Sequence, residues 1–283
     1  MREGFEKTVQ FDDRVESYAT FFDHAWARRL LTAAGGSRVA SIAFNLTMNW
    51  KAAANTHVLP GLLVECVAGS QREMLRSTES DAEKAIRLIR PHITAELKND
   101  LSNAKRRRVD EALATVAGKV QSHREEYEPT VDPQAILAEF LNSDGGHELK
   151  VAVWGSQRIV FGALFHAYED FVRQCVEVVN EDPNYVAPIG AKLVKAVENA
   201  FDGDVCNTCV RAAAIDRARV VRNALAHHGG RVTTEVAEIG HDVMEVDGEL
   251  QILPLHNREL FDVLKRGAET MATAAIGKLS RGA

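Results

Sequence analysis

The sequence is poor in the residues that mark several classes of protein. Aromatic residues make up 6% of its 283 residues, and it has 7 prolines and 4 cysteines. Four scattered cysteines do not form the framework of a disulfide-rich secreted domain and indicate a reducing compartment. Few prolines, together with many alanine and aliphatic residues, favour a mostly helical fold.

Long apolar segments and a basic surplus are also missing. No run reaches the ~18–20 apolar residues that a membrane-spanning helix needs, and the segment from Met1 to Asp13 lacks the apolar stretch of a signal peptide. The net charge of −6 argues against a chain that coats nucleic acid through a broad basic surface, although a small local cationic site is compatible with it. We therefore expect a cytoplasmic protein without membrane contact.

One dense basic run does occur, from Lys105 to Arg108, and acidic residues flank it. Four consecutive residues point in all directions around a helix. The run therefore has two interpretations, a solvated helix surface or a contact with an RNA backbone.

The most informative stretch is residues 222–230, which reads Arg-Asn-Ala-Leu-Ala-His-His-Gly-Gly. It places a cation (Arg222), an amide (Asn223) and a titratable base (His227) in the last turns of a helix that a glycine pair closes. RNA can be cut without metal by a base for the 2′-hydroxyl and a cation for the charge at phosphorus. The alternative is an ordinary helix end, where cationic side chains interact with the helix dipole.

This stretch resembles the Arg-x(4–6)-His signature of HEPN domains, helical bundles common in prokaryotic toxins and antiviral RNases. A polar residue usually follows the arginine in that family, as Asn223 does here. The spacing alone is not specific, because Arg87 and His92 repeat it. In that second match, however, Pro91 lies between the two residues and would interrupt a helix. The resemblance covers roughly residues 135–283, and only the signature is specific.

The resemblance implies a metal-independent RNA endonuclease of a toxin–antitoxin or antiviral defence type, with no cofactor and no metal. His227 would take the proton from a 2′-hydroxyl, and Arg222 would stabilise the charge on the phosphoryl oxygens. Asn223 would orient the phosphate or the histidine, and the products would be a 2′,3′-cyclic phosphate and a 5′-hydroxyl. The alternative of a different class is a non-catalytic HEPN-like binding or scaffold module.

The resemblance also implies partners. HEPN active sites are generally composite, so we expect RNA as substrate and a homodimer whose isologous interface includes the signature helix. An antitoxin or regulatory protein would be a further partner. Toxins paired with minimal nucleotidyltransferase antitoxins often carry a tyrosine where this chain has Gly229, which puts in doubt an antitoxin that modifies that position.

Three further residues are supporting candidates: Arg219, His228 and Glu169. Arg219, Asn223 and His227 follow at helical spacing on a polar face, while the apolar stripe leads to His228. We therefore expect His228 to lean toward the core and His227 to be the base. The apolar stripe consists of Val210, Ala214, Ala218, Val221 and Leu225.

Glu169 lies within an apolar helical segment. In several HEPN families an acidic residue on an earlier helix reaches the signature. If Glu169 is buried, its carboxylate needs a partner such as Arg222 or Arg219; the alternative is a surface glutamate.

Cys206 and Cys209 have the spacing of half a zinc site. Structural zinc usually needs its two histidines three to five residues apart, whereas His227 and His228 are adjacent, and the chain has no second Cys-x-x-Cys. Walker, Rossmann and Gly-x-Ser-x-Gly motifs are also missing, so nucleotide and serine-esterase chemistry lack support.

The periodicity predicts a mainly α fold in two parts: a mostly helical N-terminal region of unknown role (1–134) and a HEPN-like antiparallel helical bundle (135–283). Residues 41–50 alternate as a strand does, although a helix through Val39, Ile42, Leu46 and Trp50 is left open. Asp247-Gly248 predicts a small hairpin. The other segments are predicted as helices over 11–31, 62–79, 81–128 (with Pro91 as an entry or kink), 148–180, 189–201, 207–227 and 255–279, and as β-like over 232–236 and 241–253.

Overall fold

A computed structural model describes residues 12, 14–96, 103–126, 131–142 and 147–281. The contacts divide the chain into a first unit, Met1–Gly61 with Ala138–Ala283, and a second unit, Leu62–Leu137. Within the described ranges, no helix combines the length and apolar character needed to cross a membrane.

The structure is mainly α-helical with one small sheet, as the sequence predicted. A 3-10 helix spans Val15–Tyr18. The α-helices are α1 (His24–Ala34), α2 (Ala40–His57), α3 (Leu59–Glu96), α4 (Asn103–Glu126), α5 (Pro133–Asn142), α6 (His147–Val179), α7 (Ala191–Ala200), α8 (Gly203–Cys209), α9 (Ala213–His227), α10 (Thr234–Ile239) and α11 (Pro254–Arg281), and the strands are β1 (Met244–Val246) and β2 (Glu249–Gln251).

The core of the first unit is built around α6, against which α2, α9 and α11 pack. Aromatic side chains join three helices at its centre: Trp26 of α1 stacks on Trp50 of α2 at 5.3 Å, and Phe261 of α11 lies 5.2 Å from Trp50. The indole of Trp50 also donates a hydrogen bond to the Leu164 carbonyl of α6, at 3.0 Å. Apolar burial of these large rings is the main favourable contribution to this packing.

A buried polar cluster connects the same helices. Nδ1 of His57 lies 2.9 Å from Oε1 of Gln157, and its Nε2 lies 3.2 Å from the Ser17 carbonyl. The Asn257 amide donates to the same Gln157 oxygen at 2.9 Å. Burial lowers the pKa of His57. Because buried polar groups need partners, this cluster favours one register of α2, α6 and α11.

The strand predicted over residues 41–50 is wrong, since this segment lies within α2. The helical alternative through Ile42, Leu46 and Trp50 is the one observed, and these three side chains are buried. The alternation misled because Phe44 and Met48, the other apolar members of the pattern, point outward and are 52% and 48% exposed.

The division of the chain also differs from the boundary expected at residue 134. The N-terminal segment up to Gly61 belongs to the same unit as the C-terminal half, because α1 and α2 pack against α11 and α6. The helix expected over 11–31 is a 3-10 helix followed by α1, whose first turn is capped by the Asp23 side chain accepting from Trp26 N at 2.8 Å.

The second unit consists mainly of α3 beyond Gly61 and of α4. The break expected near residue 80 is not present, and α3 continues through Pro91 to Glu96. In the basic run of α4, Lys105, Arg107 and Arg108 are exposed, and Arg107 Nε donates to Glu111 at 3.2 Å.

The hairpin predicted at Asp247-Gly248 is confirmed. Strands β1 and β2 pair antiparallel, with Val246 opposite Glu249, and both turn residues have positive φ, 51° and 77°. Residues 234–236, which were predicted as β-like, belong to α10 instead. The Thr233 hydroxyl caps this helix by accepting from Val236 N at 3.3 Å, a local signal that the β-branched composition obscured.

Candidate functional site

The helix that holds the signature ends where the sequence predicted. His227 is the last residue of α9, and the N–H groups of His228 and Gly230 both donate to the Ala224 carbonyl at 2.9 Å. Gly229 and Gly230 have φ of 65° and 91°. This left-handed closure is favourable for glycine and occupies carbonyls that the helix end leaves free.

The beginning of the helix is not where it was predicted. The helical segment expected over 207–227 is interrupted at residues 210–212, so that α8 and α9 are separate helices. The backbone of α8 is held elsewhere: Tyr168 donates to the Cys209 carbonyl at 2.7 Å, and the Cys209 thiol approaches the Gly267 carbonyl at 3.2 Å. These contacts with α6 and α11 orient α8 independently of α9.

The buried face of α9 is rotated from the predicted stripe. Ala218 and Val221 are buried as expected, but the other buried members are Ile215, Val220 and Ala224. His228 is exposed, so the expectation that it leans toward the core is wrong. It is the C-cap residue, with φ −124° and ψ 16°, and helical phase does not apply to it.

His227 is also exposed, one turn beyond the partly buried Asn223. Residues separated by one turn lie on the same face of a helix. The amide of Asn223 and the imidazole of His227 therefore lie along one side of α9, and the imidazole is accessible from solvent.

Arg222 lies against α6. Its Nη2 donates to Oε2 of Glu169 at 2.7 Å, and the two side chains are 20% and 17% exposed. The guanidinium also lies 5.4 Å from the ring of Phe165, which precedes Glu169 by one turn. Its Nε is buried without a hydrogen-bond acceptor among the described residues. The ion pair and the ring hold Arg222 in one place and compensate much of its charge.

Arg219 has different partners. Its Nε donates to Asp216 at 2.9 Å and its Nη1 to Glu235 of α10 at 3.0 Å. These contacts join α9 to α10. Of the two arginines suggested as partners for Glu169, Arg222 is the one in contact.

Sequence reasoning missed Arg158. This residue of α6 donates from Nη2 to the Gly229 carbonyl at 2.6 Å, and its guanidinium lies 4.3 Å from the Trp154 ring. Burial lowers the pKa of Arg158, an effect that the charge of Glu249 opposes. Arg158 thus fixes the turn that follows the two histidines. The only sequence signal was the helical spacing of Trp154 and Arg158, which does not point to Gly229.

The two cysteines at zinc-like spacing are buried and contact backbone carbonyls, Cys206 that of Val194 and Cys209 that of Gly267. Burial raises the pKa of Cys209 to about 12. The length of α9, about 20 Å at 1.5 Å per residue, separates them from the histidines at its other end. Within the described part of the chain, no cluster of three or more metal-ligating side chains occurs.

A cavity of about 330 Å³ borders α9, with Ala218, Val221, Phe161 and Leu260 in its wall. Arg222, Asn223 and His227 are not part of that wall. Of the three signature side chains, Arg222 and Asn223 are partly buried and His227 is exposed at the helix end, all outside the wall of this cavity.

Comparison of this chain with protein families, with curated proteins and with solved structures found no match.

Proposed function

We propose that this protein is a metal-independent RNA endonuclease of the HEPN type, with a toxin–antitoxin or antiviral defence role. The observation that supports it best is the combination of an anchored arginine, Arg222, with an exposed imidazole, His227, in the last two turns of one helix. The Glu169–Arg222 ion pair adds support, because it joins an earlier helix to the signature as the resemblance implies.

In the proposed reaction, His227 removes the proton of a ribose 2′-hydroxyl, and the oxygen attacks the adjacent phosphorus. The P–O5′ bond breaks, the 5′ oxygen takes a proton from water and leaves as a hydroxyl, and a 2′,3′-cyclic phosphate remains. Arg222 stabilises the charge on the non-bridging oxygens, and Asn223 orients the phosphate or the imidazole. An imidazole suits the base because histidine titrates near neutral pH.

The proposal includes a homodimer in which α9 of one protomer faces α9 of the other, so that two signatures share one substrate. Arg222 and His227 lie about 140° apart around an ideal helix, so a second copy is the simplest way to place both groups on one phosphate. A monomer with full cleavage activity would contradict this part of the proposal.

The first experiment is cleavage of total RNA by the purified chain in EDTA, with analysis of product ends. We expect cyclic-phosphate ends, and loss of cutting in Arg222→Ala and in His227→Ala. His228→Ala is the matched control, because that imidazole is also exposed but lies outside the helix. Cutting that survives His227→Ala and disappears in His228→Ala would show that His228 is the base. Cutting that survives both substitutions would show that neither histidine is the base. In bacteria, expression of the active chain should arrest growth, and His227→Ala should not.

A non-catalytic HEPN-like binding or scaffold module is the second candidate, and one observation favours it. The charge of Arg222 is compensated by Glu169, and its side chain is only 20% exposed, which limits its access to a phosphate. Glu169→Gln separates the two candidates. For an enzyme in which Glu169 positions Arg222, cleavage falls at least about 10-fold while RNA affinity is kept, a barrier change of about 1.4 kcal/mol. If the protein is a scaffold, neither the wild type nor Glu169→Gln cuts RNA, and the substitution changes only the thermal stability.

A further inference from the structure

An apolar groove runs between α1 and α2, on the side of α2 that faces solvent. It has a volume of about 480 Å³, and its wall includes Phe22, Leu31, Phe44 and Met48 together with Arg28 and Lys51. We call this the α1–α2 groove. None of these residues belongs to the signature helix.

The outer face of α2 is unusual for a helix of a packed bundle. Such a helix normally presents polar residues on the face opposite the core. Here Phe44 and Met48, one turn apart, are 52% and 48% exposed, while Ile42 and Leu46 supply the buried side. Exposed large apolar side chains at the spacing of one helix face indicate a surface that another molecule covers.

The charges around the groove have one sign. Helices α1 and α2 contain Arg28, Arg29 and Lys51 and no acidic residue, although the whole chain has a net charge of −6. No carboxylate of the described residues pairs with Arg28 or Lys51. Asp23, which precedes α1, accepts from Trp26 N and pairs with Lys265 at 3.4 Å, so its charge is already compensated.

These two features favour a protein over RNA as the occupant. The two cations in the groove wall, Arg28 and Lys51, neutralise about two phosphates, so the resulting salt-dependent attraction is small. An apolar groove between two helices is instead suited to a third helix that inserts apolar side chains at one-turn spacing. The cations on both walls select acidic residues beside those anchors.

We propose that the α1–α2 groove binds an amphipathic helical segment of a partner protein, with apolar anchors at one-turn spacing and acidic residues flanking them. Arg28 on α1 and Lys51 on α2 supply the charge preference, and Phe44 and Met48 supply most of the contact area. This proposal is independent of RNA cleavage, since it uses neither Arg222 nor His227.

The test uses the full chain and fluorescent helical peptides of about 18 residues, or five turns. One peptide has leucine anchors flanked by glutamate; its matched partner has the same anchors and lysine in place of each glutamate. Fluorescence anisotropy should show the acidic peptide binding at least about 10-fold more tightly, a difference of about 1.4 kcal/mol. Phe44→Ser combined with Met48→Ser should weaken the acidic peptide by a similar factor.

Charge reversal gives the sharper result. Arg28→Glu combined with Lys51→Glu should make the lysine peptide the preferred ligand. Ile189→Ser combined with Lys195→Glu is the control, because it removes an exposed apolar residue and an exposed cation elsewhere in the first unit; it should leave both affinities unchanged. The charge-reversal variant and the control variant should keep the wild-type melting temperature, since their altered side chains are exposed.

Three results would overturn the proposal: no binding of the acidic peptide at about 1 mM, equal binding of both peptides, or binding that charge reversal does not alter. Single-stranded RNA that displaces the acidic peptide and loses affinity in the reversed variant would assign the groove to RNA instead.

Discussion

Gly230 offers a way to test how the end of the signature helix is held. Its φ is 91°, and an added Cβ would lie 2.2 Å from Nη2 of Arg158 and 3.0 Å from its Cζ. Gly229 has a φ of 65°, but a Cβ there would meet nothing within 4 Å. Gly229→Ala therefore measures backbone strain alone, whereas Gly230→Ala measures strain together with displacement of the Arg158 guanidinium.

The expected magnitudes follow from these contacts. An alanine in the left-handed region costs about 1–2 kcal/mol. Displacing Arg158 also breaks its 2.6 Å hydrogen bond to the Gly229 carbonyl, which adds about 1 kcal/mol, as for a typical intramolecular hydrogen bond. We expect Gly229→Ala to lower the free energy of unfolding by about 1–2 kcal/mol and Gly230→Ala by about 2–3 kcal/mol.

Urea unfolding followed by tryptophan fluorescence measures this difference. The three tryptophans, Trp26, Trp50 and Trp154, all lie in the first unit, so the signal reports the unit that contains the site. The same two glycine variants are then made with Arg158→Ala. In that background the two should cost equal amounts, because the guanidinium is gone.

Two results would refute this reasoning. One is an equal cost for Gly229→Ala and Gly230→Ala when Arg158 is present. The other is an excess cost of Gly230→Ala that persists after Arg158→Ala. Either result would mean that Arg158 does not hold the turn.

Three further outcomes test the packing. Gly267→Ala places a Cβ 2.1 Å from the Tyr168 hydroxyl and should destabilise the first unit by about 1–3 kcal/mol. Gly277→Ala, where a Cβ meets nothing within 4 Å, should stabilise it by about 0.5–1 kcal/mol. The urea concentration at the unfolding midpoint of each variant measures both effects. Burial lowers the pKa of His57 from 6.5. Its neutral ring therefore contributes to the free energy of unfolding above pH 6.5, and this contribution is lost as the pH falls below that value. His57→Gln should make the free energy of unfolding depend less on pH in this range. Ellman's reagent should modify one of the four thiols in the folded chain, the exposed Cys66, and all four in urea; rapid modification of a second thiol would contradict the buried positions of the others.

The helix end at His227 and the hairpin at Asp247-Gly248 could both be predicted because each depends on a few adjacent residues. Positive φ at Gly229, Gly230 and Gly248 is favourable for glycine wherever those residues occur. The strand predicted at 41–50 failed for a related reason. Its apolar residues fit both periods, and only packing against α6 showed that Phe44 and Met48 point outward.

The candidate site was predictable as a set of residues but not as an arrangement. Arg222, Asn223 and His227 could be named from their spacing in one helix. Neither Arg158 nor the choice of Arg222 over Arg219 as the partner of Glu169 could be derived, because these contacts join helices far apart in the chain.

The sequence by itself determined the mainly helical fold, the end of the signature helix and the hairpin turn, since hydrogen bonds and steric limits within a few residues decide such features. Only the tertiary structure decided which cations are compensated and which apolar side chains stay exposed. Glu169 meets Arg222, and Arg158 meets Gly229, because α6 packs beside α9. Charge compensation and burial depend on which residues pack together in the fold, and no local sequence pattern specifies those residues.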